Sequence, residues 1–250
     1  MIQEKCNTSY WQNTMKNKIY GLTYAGGTAD FYSTLKDILY DEGIDFVPLE
    51  YAGHGRRRKE ASYKDFTQLS EDMTEHLIQN LQTDERYYLM GYSMGTIAVV
   101  EILKRLIAMK YRLPAAVILA AHEPKSKSEL SGWNKDISDD VVKERIMRFG
   151  GIPNNLAMND VFWRVYLPSY RNDFGLIGEY DFSKIGLNTD IPALIMYSET
   201  DTPYESIREW NSIFVGKNVY QEYSGGHFFI NEHISEITEK IVKWINEENT

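Results

Sequence analysis

The tightest constraint on this chain is the stretch Tyr87-Tyr88-Leu89-Met90-Gly91-Tyr92-Ser93-Met94-Gly95 and the apolar run that follows it, Thr96 to Tyr111. A short apolar, aromatic-rich segment predicts a buried strand, and the run after it predicts a largely buried helix. Gly-x-Ser-x-Gly between the two predicts a nucleophile elbow. Such a turn is too tight for side chains two residues either side of the serine, so Gly91 and Gly95 fit it. It lifts the Ser93 hydroxyl off the sheet edge and aims backbone N–H groups and a helix N-terminus at the same point.

A serine hydroxyl is a poor nucleophile at neutral pH. It needs an imidazole to take its proton and a carboxylate to orient that imidazole. Both follow downstream in the order Ser, acid, His that an elbow-bearing sheet requires. Ile191 to Tyr197 reads as a buried strand, and Asp201 lies in the loop after it. Asn218 to Tyr223 reads as a last edge strand, and Ser224-Gly225-Gly226 brings in His227. The assignment is Ser93 as nucleophile, His227 as base and acid, and Asp201 as orienter. The rivals for the acid are Glu199 and, farther away, Asp173. Among the other histidines, His76 reads as a helix-surface residue and His233 as a packing or capping residue. His54 and His122 lie where they could approach the site.

Acyl transfer also needs donors for an oxyanion. One is expected from the backbone N–H of Met94, the residue after the nucleophile. The second is expected from Ala25, in the glycine loop Tyr24-Ala25-Gly26-Gly27-Thr28 after the early strand Ile19 to Thr23.

These segments carry a family resemblance. The chain resembles the stand-alone type II thioesterases that accompany non-ribosomal peptide and polyketide synthases, from about Ile19 to Ile245. Tyr24-Ala25-Gly26-Gly27 resembles the family's early Ala-Gly-Gly loop, Gly53-His54-Gly55-Arg56 its Gly-Arg-Gly loop, and Gly91 to Gly95 its elbow. Gly150-Gly151-Ile152-Pro153 resembles its Gly-Gly-x-Pro turn. Leu167 to Phe174 resembles its Leu-Pro…Arg-x-Asp-Phe segment, and Gly225 to Phe229 its Gly-Gly-His-Phe-Phe. Tyr92 stands where the family usually has histidine, His54 where it has the loop arginine, and Thr202 separates Asp201 from its proline.

The resemblance implies the α/β-hydrolase fold, hydrolysis of acyl thioesters on the phosphopantetheine arms of carrier proteins, and a role in editing misprimed or stalled synthases. It implies small acyl thioesters such as acyl-coenzyme A as further substrates, with no cofactor and no metal. The alternative with the same triad is a small-molecule carboxylic-ester hydrolase or acyltransferase. A non-catalytic protein that kept the fold is the remaining reading, and such proteins usually lose a triad member. The candidate substrate contacts are Tyr24, Tyr92, Phe162, Phe228 and Arg57. Arg57 belongs to the basic run Arg56 to Lys59, which could receive the phosphate of the arm or acidic carrier helices.

Strands near 18–23, 45–51, 86–91, 115–121, 191–197 and 217–223 alternate with helices near 29–41, 65–82, 96–111, 203–214 and 232–247. That predicts a mostly parallel sheet with helices on both faces. The stretch from about 123 to 184 breaks the alternation and predicts an inserted helical lid, with helices from Ser138 to Arg148 and Met158 to Tyr166. Met147, Phe149, Leu156, Met158, Phe162, Trp163 and Tyr166 are candidates to line an acyl tunnel, two or three of them touching substrate. Residues 18–250 are expected to form one domain, and 1–17 a loosely ordered segment from which Tyr10 and Trp11 could dock.

The single cysteine, Cys6, excludes an internal disulfide and suits a reducing compartment. A net charge of −9 argues against nucleic acid as a partner. No apolar stretch resembles a signal peptide or a membrane span, so a cytoplasmic monomer is expected.

Overall fold

The computed structural model describes residues 16–124, 133, 136–150 and 152–248. Cys6, Tyr10, Trp11 and Gly151 lie outside them, as does most of the 1–17 segment, although Lys16 and Asn17 already belong to the first strand.

Six strands form one sheet: β1 Lys16–Leu22, β2 Asp45–Pro48, β3 Glu85–Tyr92, β4 Ala116–Ala120, β5 Ala193–Tyr197 and β6 Asn218–Glu222. The helices are α1 Ser33–Asp41, α2 Phe66–Asn80, α3 Met94–Ala108, α4 Asp139–Phe149, α5 Asn154–Ala157, α6 Asp160–Glu179, α7 Tyr204–Ile207, α8 Phe229–Glu232 and α9 Ile234–Glu248. The strand order is β2-β1-β3-β4-β5-β6, and every pairing is parallel.

Alternation along each strand divides the core in two. Ile19, Tyr88, Met90, Ile118 and Leu194 face a cluster closed by α1 and α9. Tyr20, Leu89, Leu119 and Ile195 face one closed by α2 and α3. The apolar stripe of α9 packs as its spacing predicts, with Ile237, Ile241, Trp244 and Ile245 buried. Parallel strands covered on both faces are apolar throughout, which is why β3, β4 and β5 read so clearly.

The order of connection reverses at β1, whose neighbours are β2 on one side and β3 on the other. At such a switch point the loops leave in opposite directions and open a crevice at the carboxyl ends of the strands. The Ala25 loop follows β1 and Ser93 follows β3, so both stand at that crevice.

Three expectations need correction. The second inserted helix runs to Glu179, well beyond Tyr166. Pro168 lies inside it, although an interior proline removes a backbone hydrogen bond and crowds the preceding turn. The apolar face that continues past it, with Leu167, Tyr170, Phe174 and Ile177 buried, offsets that cost. The helix expected over 203–214 is one α turn, α7, followed by a 3-10 segment, Arg208–Ser212. Residues 213–215 are drawn into a bridge beside Thr189, with Thr189 N–H donating to Ile213 C=O and Val215 N–H to Thr189 C=O. That extended pairing leaves no length for further helical turns. Finally, β2 stops at Pro48, short of Tyr51.

Between β4 and β5 the chain inserts α4, α5 and α6. Ser138 caps α4 by accepting from the Val141 N–H, and Gly150 ends it at φ 76°. Asn159 caps α6, accepting from the Val161 and Phe162 N–H groups.

Candidate active site

The elbow forms because two glycines make room for it. A Cβ on Gly91 would collide with the carbonyl of Gly95, and one on Gly95 with the Leu22 carbonyl in β1. Ser93 between them has φ 54° and ψ −117°, a strained conformation for a residue with a side chain. The surroundings hold it there: its N–H donates to Ala120 C=O at 2.8 Å, and its C=O accepts from Thr96 N–H at 2.9 Å and Thr96 Oγ1 at 2.8 Å. It is 8% exposed.

His227 Nε2 lies 3.0 Å from Ser93 Oγ, and His227 Nδ1 lies 2.9 Å from Asp201 Oδ2 and 3.0 Å from Oδ1. A carboxylate only accepts, so Nδ1 carries the proton and Nε2 offers its lone pair to the serine hydroxyl. The loops bearing acid and imidazole are tied together, since Ser198 and Thr200 hydroxyls both donate to Gly225 C=O. The Phe149 ring from the inserted α4 sits 4.6 Å from the His227 ring.

The rivals are engaged elsewhere. Glu199 accepts the Tyr204 N–H at the start of α7. Asp173 pairs with His54. His76 bonds Asp72 C=O within its own helix, and His233 bonds Ser224 and Glu236. His122 does line the Ser93 cavity, and burial holds its pKa below the ordinary histidine value.

That cavity has a volume of about 170 Å³ and lies between the sheet edge and the inserted helices. Ser93, His227, Asp201 and Ala25 all line it. Its apolar wall includes Ile146, Phe149, Phe174, Ile177 and Phe182, with Arg145 and Glu123 as charged members. Tyr24 and Phe228 line it as expected from sequence. Phe162 instead lines an adjoining cavity, with Leu156, Tyr166 and Tyr24. Of the other tunnel candidates, only Phe149 reaches the Ser93 cavity. Trp163 is buried with its Nε1–H on Ala157 C=O, and Met147 and Met158 are exposed.

Besides Phe162, two candidate contacts fall outside the cavity. Tyr92 is fully buried beneath the site, and its hydroxyl donates to the His227 C=O at 2.6 Å. Arg57 is occupied: its guanidinium binds Asp72, Glu60 and the Glu50 C=O. A cation that saturates its donors on its own chain is a brace for the loop, so Arg57 is not placed to receive a phosphate. Phe174 and Ile177 escape sequence reasoning because the second inserted helix is expected to stop before them, and Phe182 because it lies in a separate 3-10 segment, Phe182–Lys184, that no pattern marks. Among the described residues there is no cluster of three or more His, Cys, Asp or Glu that could hold a metal, and no helix long and apolar enough to cross a membrane.

A family model described as a thioesterase domain matches residues 17–245. A probable cadicidin biosynthesis thioesterase of Streptomyces griseus is 28% identical over 222 residues, 88% of this chain and 60% of that protein's own length. The probable anguibactin biosynthesis thioesterase AngT of Vibrio anguillarum is 26% identical over 216 residues, 84% of each chain. Among solved structures, ClbQ from the colibactin NRPS/PKS pathway superposes with a TM-score of 0.84 at 21% identity, covering 94% of this chain and 98% of that one. RedJ, a thioesterase from the prodiginine pathway of Streptomyces coelicolor, gives 0.80 at 22% identity, covering 94% and 86%. Both share the fold. With sheet, crevice and family match agreeing over nearly the whole chain, this protein belongs to the thioesterase domain family, hydrolases that act on thioester bonds.

Proposed function

We propose that Ser93, His227 and Asp201 are the catalytic triad of an editing thioesterase that clears acyl groups from the phosphopantetheine arms of carrier proteins. The observation that carries this reading is the unbroken hydrogen-bond chain Asp201–His227–Ser93 in the wall of a cavity that residues of the inserted helices also line. Ser93 attacks the thioester carbonyl while His227 takes its proton. The backbone N–H groups of Met94 and Ala25 receive the oxyanion, each contributing about 3 kcal/mol. His227 returns the proton to the departing thiol, leaving an acyl-serine. A water deprotonated by His227 then releases the free acid. The inserted helices act as the lid that admits the arm and limits bulk water.

The carrier-bound substrate is supported by the names of the relatives, which place those proteins in cadicidin biosynthesis, anguibactin biosynthesis and the colibactin NRPS/PKS pathway. Acyl-coenzyme A is a smaller substrate of the same site, and the enzyme works as a cytoplasmic monomer. The test is release of free acid from a short-acyl-loaded carrier protein and from the same acyl group on coenzyme A, with wild type and Ser93→Ala. Faster turnover of the carrier substrate, lost in Ser93→Ala, is the expected result. Equal or faster turnover of coenzyme A or a simple ester would replace carrier editing with small-molecule ester hydrolysis.

A further inference from the structure

His54 lies in the loop after β2, far from any role in the triad, yet it is only 2% exposed. Both its ring nitrogens face acceptors. Nδ1 is 3.0 Å from the Ala52 C=O and Nε2 is 2.9 Å from Asp173 Oδ2. The same Asp173 oxygen accepts the Gly26 N–H at 2.7 Å. Asp173 is fully buried, and its other oxygen has no hydrogen-bond partner among the described residues. Three segments distant in sequence therefore meet on one oxygen: the loop after β2, helix α6, and the turn after β1.

That turn is the one expected to supply the second oxyanion donor. Gly27 N–H closes it onto Tyr24 C=O at 3.0 Å, with Ala25 and Gly26 at its centre. Gly26 has φ 75°, and the Tyr170 ring packs where a Cβ would stand. Asp173 grips the neighbouring N–H, so the turn is fixed from both sides by α6. A carboxylate alone so close to the oxyanion would oppose the charge that develops there. A protonated His54 cancels it. Replacing a buried ion pair by apolar groups is often neutral for stability, so stability alone gives no reason for this pair. An apolar pair, however, could not take the Gly26 N–H.

We propose that His54 and Asp173 form a positioning pair for the oxyanion turn, Asp173 holding Gly26 in place and His54 neutralising Asp173. The proposal rests on the reading of Ala25 as an oxyanion donor. A loop arginine, as in the resembling family, would give a charge that never titrates; His54 makes the device pH-dependent. Burial alone would lower the His54 pKa, but the Asp173 charge and hydrogen bond, the Ala52 carbonyl and Glu50 together lift it to about 9. The titratable and charged groups around the pair are Asp173 and Tyr170 from α6, Glu50 and Tyr51 from the loop after β2, and Tyr63, whose hydroxyl accepts the Ala52 N–H. Below that value the turn is held and neutral. Above it the imidazole keeps its N–H on the nitrogen facing Asp173 and turns a lone pair toward the Ala52 C=O, so the carboxylate's charge is no longer cancelled and the turn carries a negative charge.

The experiment is kcat and KM for acetyl-coenzyme A across neutral and alkaline pH, with wild type, His54→Gln, His54→Arg and Ser93→Ala. Wild-type kcat is expected to fall along a limb near pH 9 while KM changes little. His54→Gln should lose between about tenfold and 10²-fold in kcat at neutral pH, with no such limb, the upper figure being that for a lost oxyanion donor. His54→Arg should recover most of the lost kcat and also lack the limb. A wild-type kcat that stays flat through pH 9, a limb that persists in His54→Arg, or a His54→Gln variant with wild-type kcat would overturn the proposal. If His54→Gln does not fold, the wild-type profile and His54→Arg still decide. Hydrolysis that survives in Ser93→Ala would instead overturn the serine mechanism on which the proposal rests.

Discussion

The elbow and the inserted helices bound the same cavity but are built on opposite terms. Leu89, Met90, Tyr92, Met94 and Ile97, along β3 and into α3, are wholly buried. Across the cavity Met158 is 86% exposed, and Val161, Val165 and Tyr166 also face solvent. A nucleophile must be held within a fraction of an ångström of its base, and close packing provides that. The solvent-facing side of the inserted helices offers less packing to oppose a local opening. Substitutions on the two sides should therefore fail differently. The largest effect is expected at Gly95→Ala, where the new Cβ meets the Leu22 carbonyl of β1 and neither backbone can yield. The loss should be on the order of 4 kcal/mol, at the top of the overpacking range. Urea unfolding measures it, and a variant as stable as wild type would show that the elbow is not rigid.

The seam between the two regions should respond to pH. The folded His54 pKa of about 9 lies above the unfolded value of 6.5, so the folded state binds the proton more tightly. Its contribution, about 3 kcal/mol, is fully present below pH 6.5 and is lost as pH rises to about 9. Unfolding free energy should decline across that window and level off above it. A flat profile would mean that α6 is not tied to the loop after β2 by this charge.

Gly150 offers the cover's counterpart to Gly95. A Cβ there meets nothing within 4 Å, so no packing opposes a side chain. Its φ of 76° and ψ of −164°, however, lie in a region that only glycine occupies readily. Gly150→Ala should cost about 2 kcal/mol through backbone strain alone. Because α4 buries Val142 and Ile146 whereas β3 is buried almost throughout, the strain should appear as faster amide exchange in α4 with β3 unchanged. Equal loss of protection in β3 would mean that cover and scaffold unfold as one unit.

How far the sequence disclosed this division follows from the range of the interactions. β3, the glycines of the elbow and the N-cap Ser138 are local patterns, and their elements stand where periodicity and cap chemistry put them. The order of Ser93, Asp201 and His227 along the chain was legible because each follows a strand of a parallel sheet. The extension of α6 was not, because Pro168 is a strong local stop signal and only the tertiary burial of Phe174 and Ile177 outweighs it. Nor was the engagement of Arg57, since a basic run looks the same whether its guanidinium meets a ligand or meets Asp72. The His54–Asp173 pair spans 119 residues and leaves no periodic trace at all.

Tyr92 crosses the division and should show the smallest effect. Its ring belongs to the scaffold, fully buried and packed among Phe31, Phe228 and Phe229. Its hydroxyl donates to the carbonyl of His227 on the glycine loop. Burial raises its pKa well above the ordinary tyrosine value, so it remains a donor throughout the working range. Tyr92→Phe keeps the ring and removes the donor, at about 1 kcal/mol for one hydrogen bond. Because that bond fixes the backbone of the base, the cost should appear mainly as a kcat lowered about fivefold, with KM and melting temperature nearly unchanged. A matching loss of stability without loss of kcat would make the hydroxyl part of the scaffold. The expected split would make it the point where the rigid side of the cavity holds the base in line with Ser93.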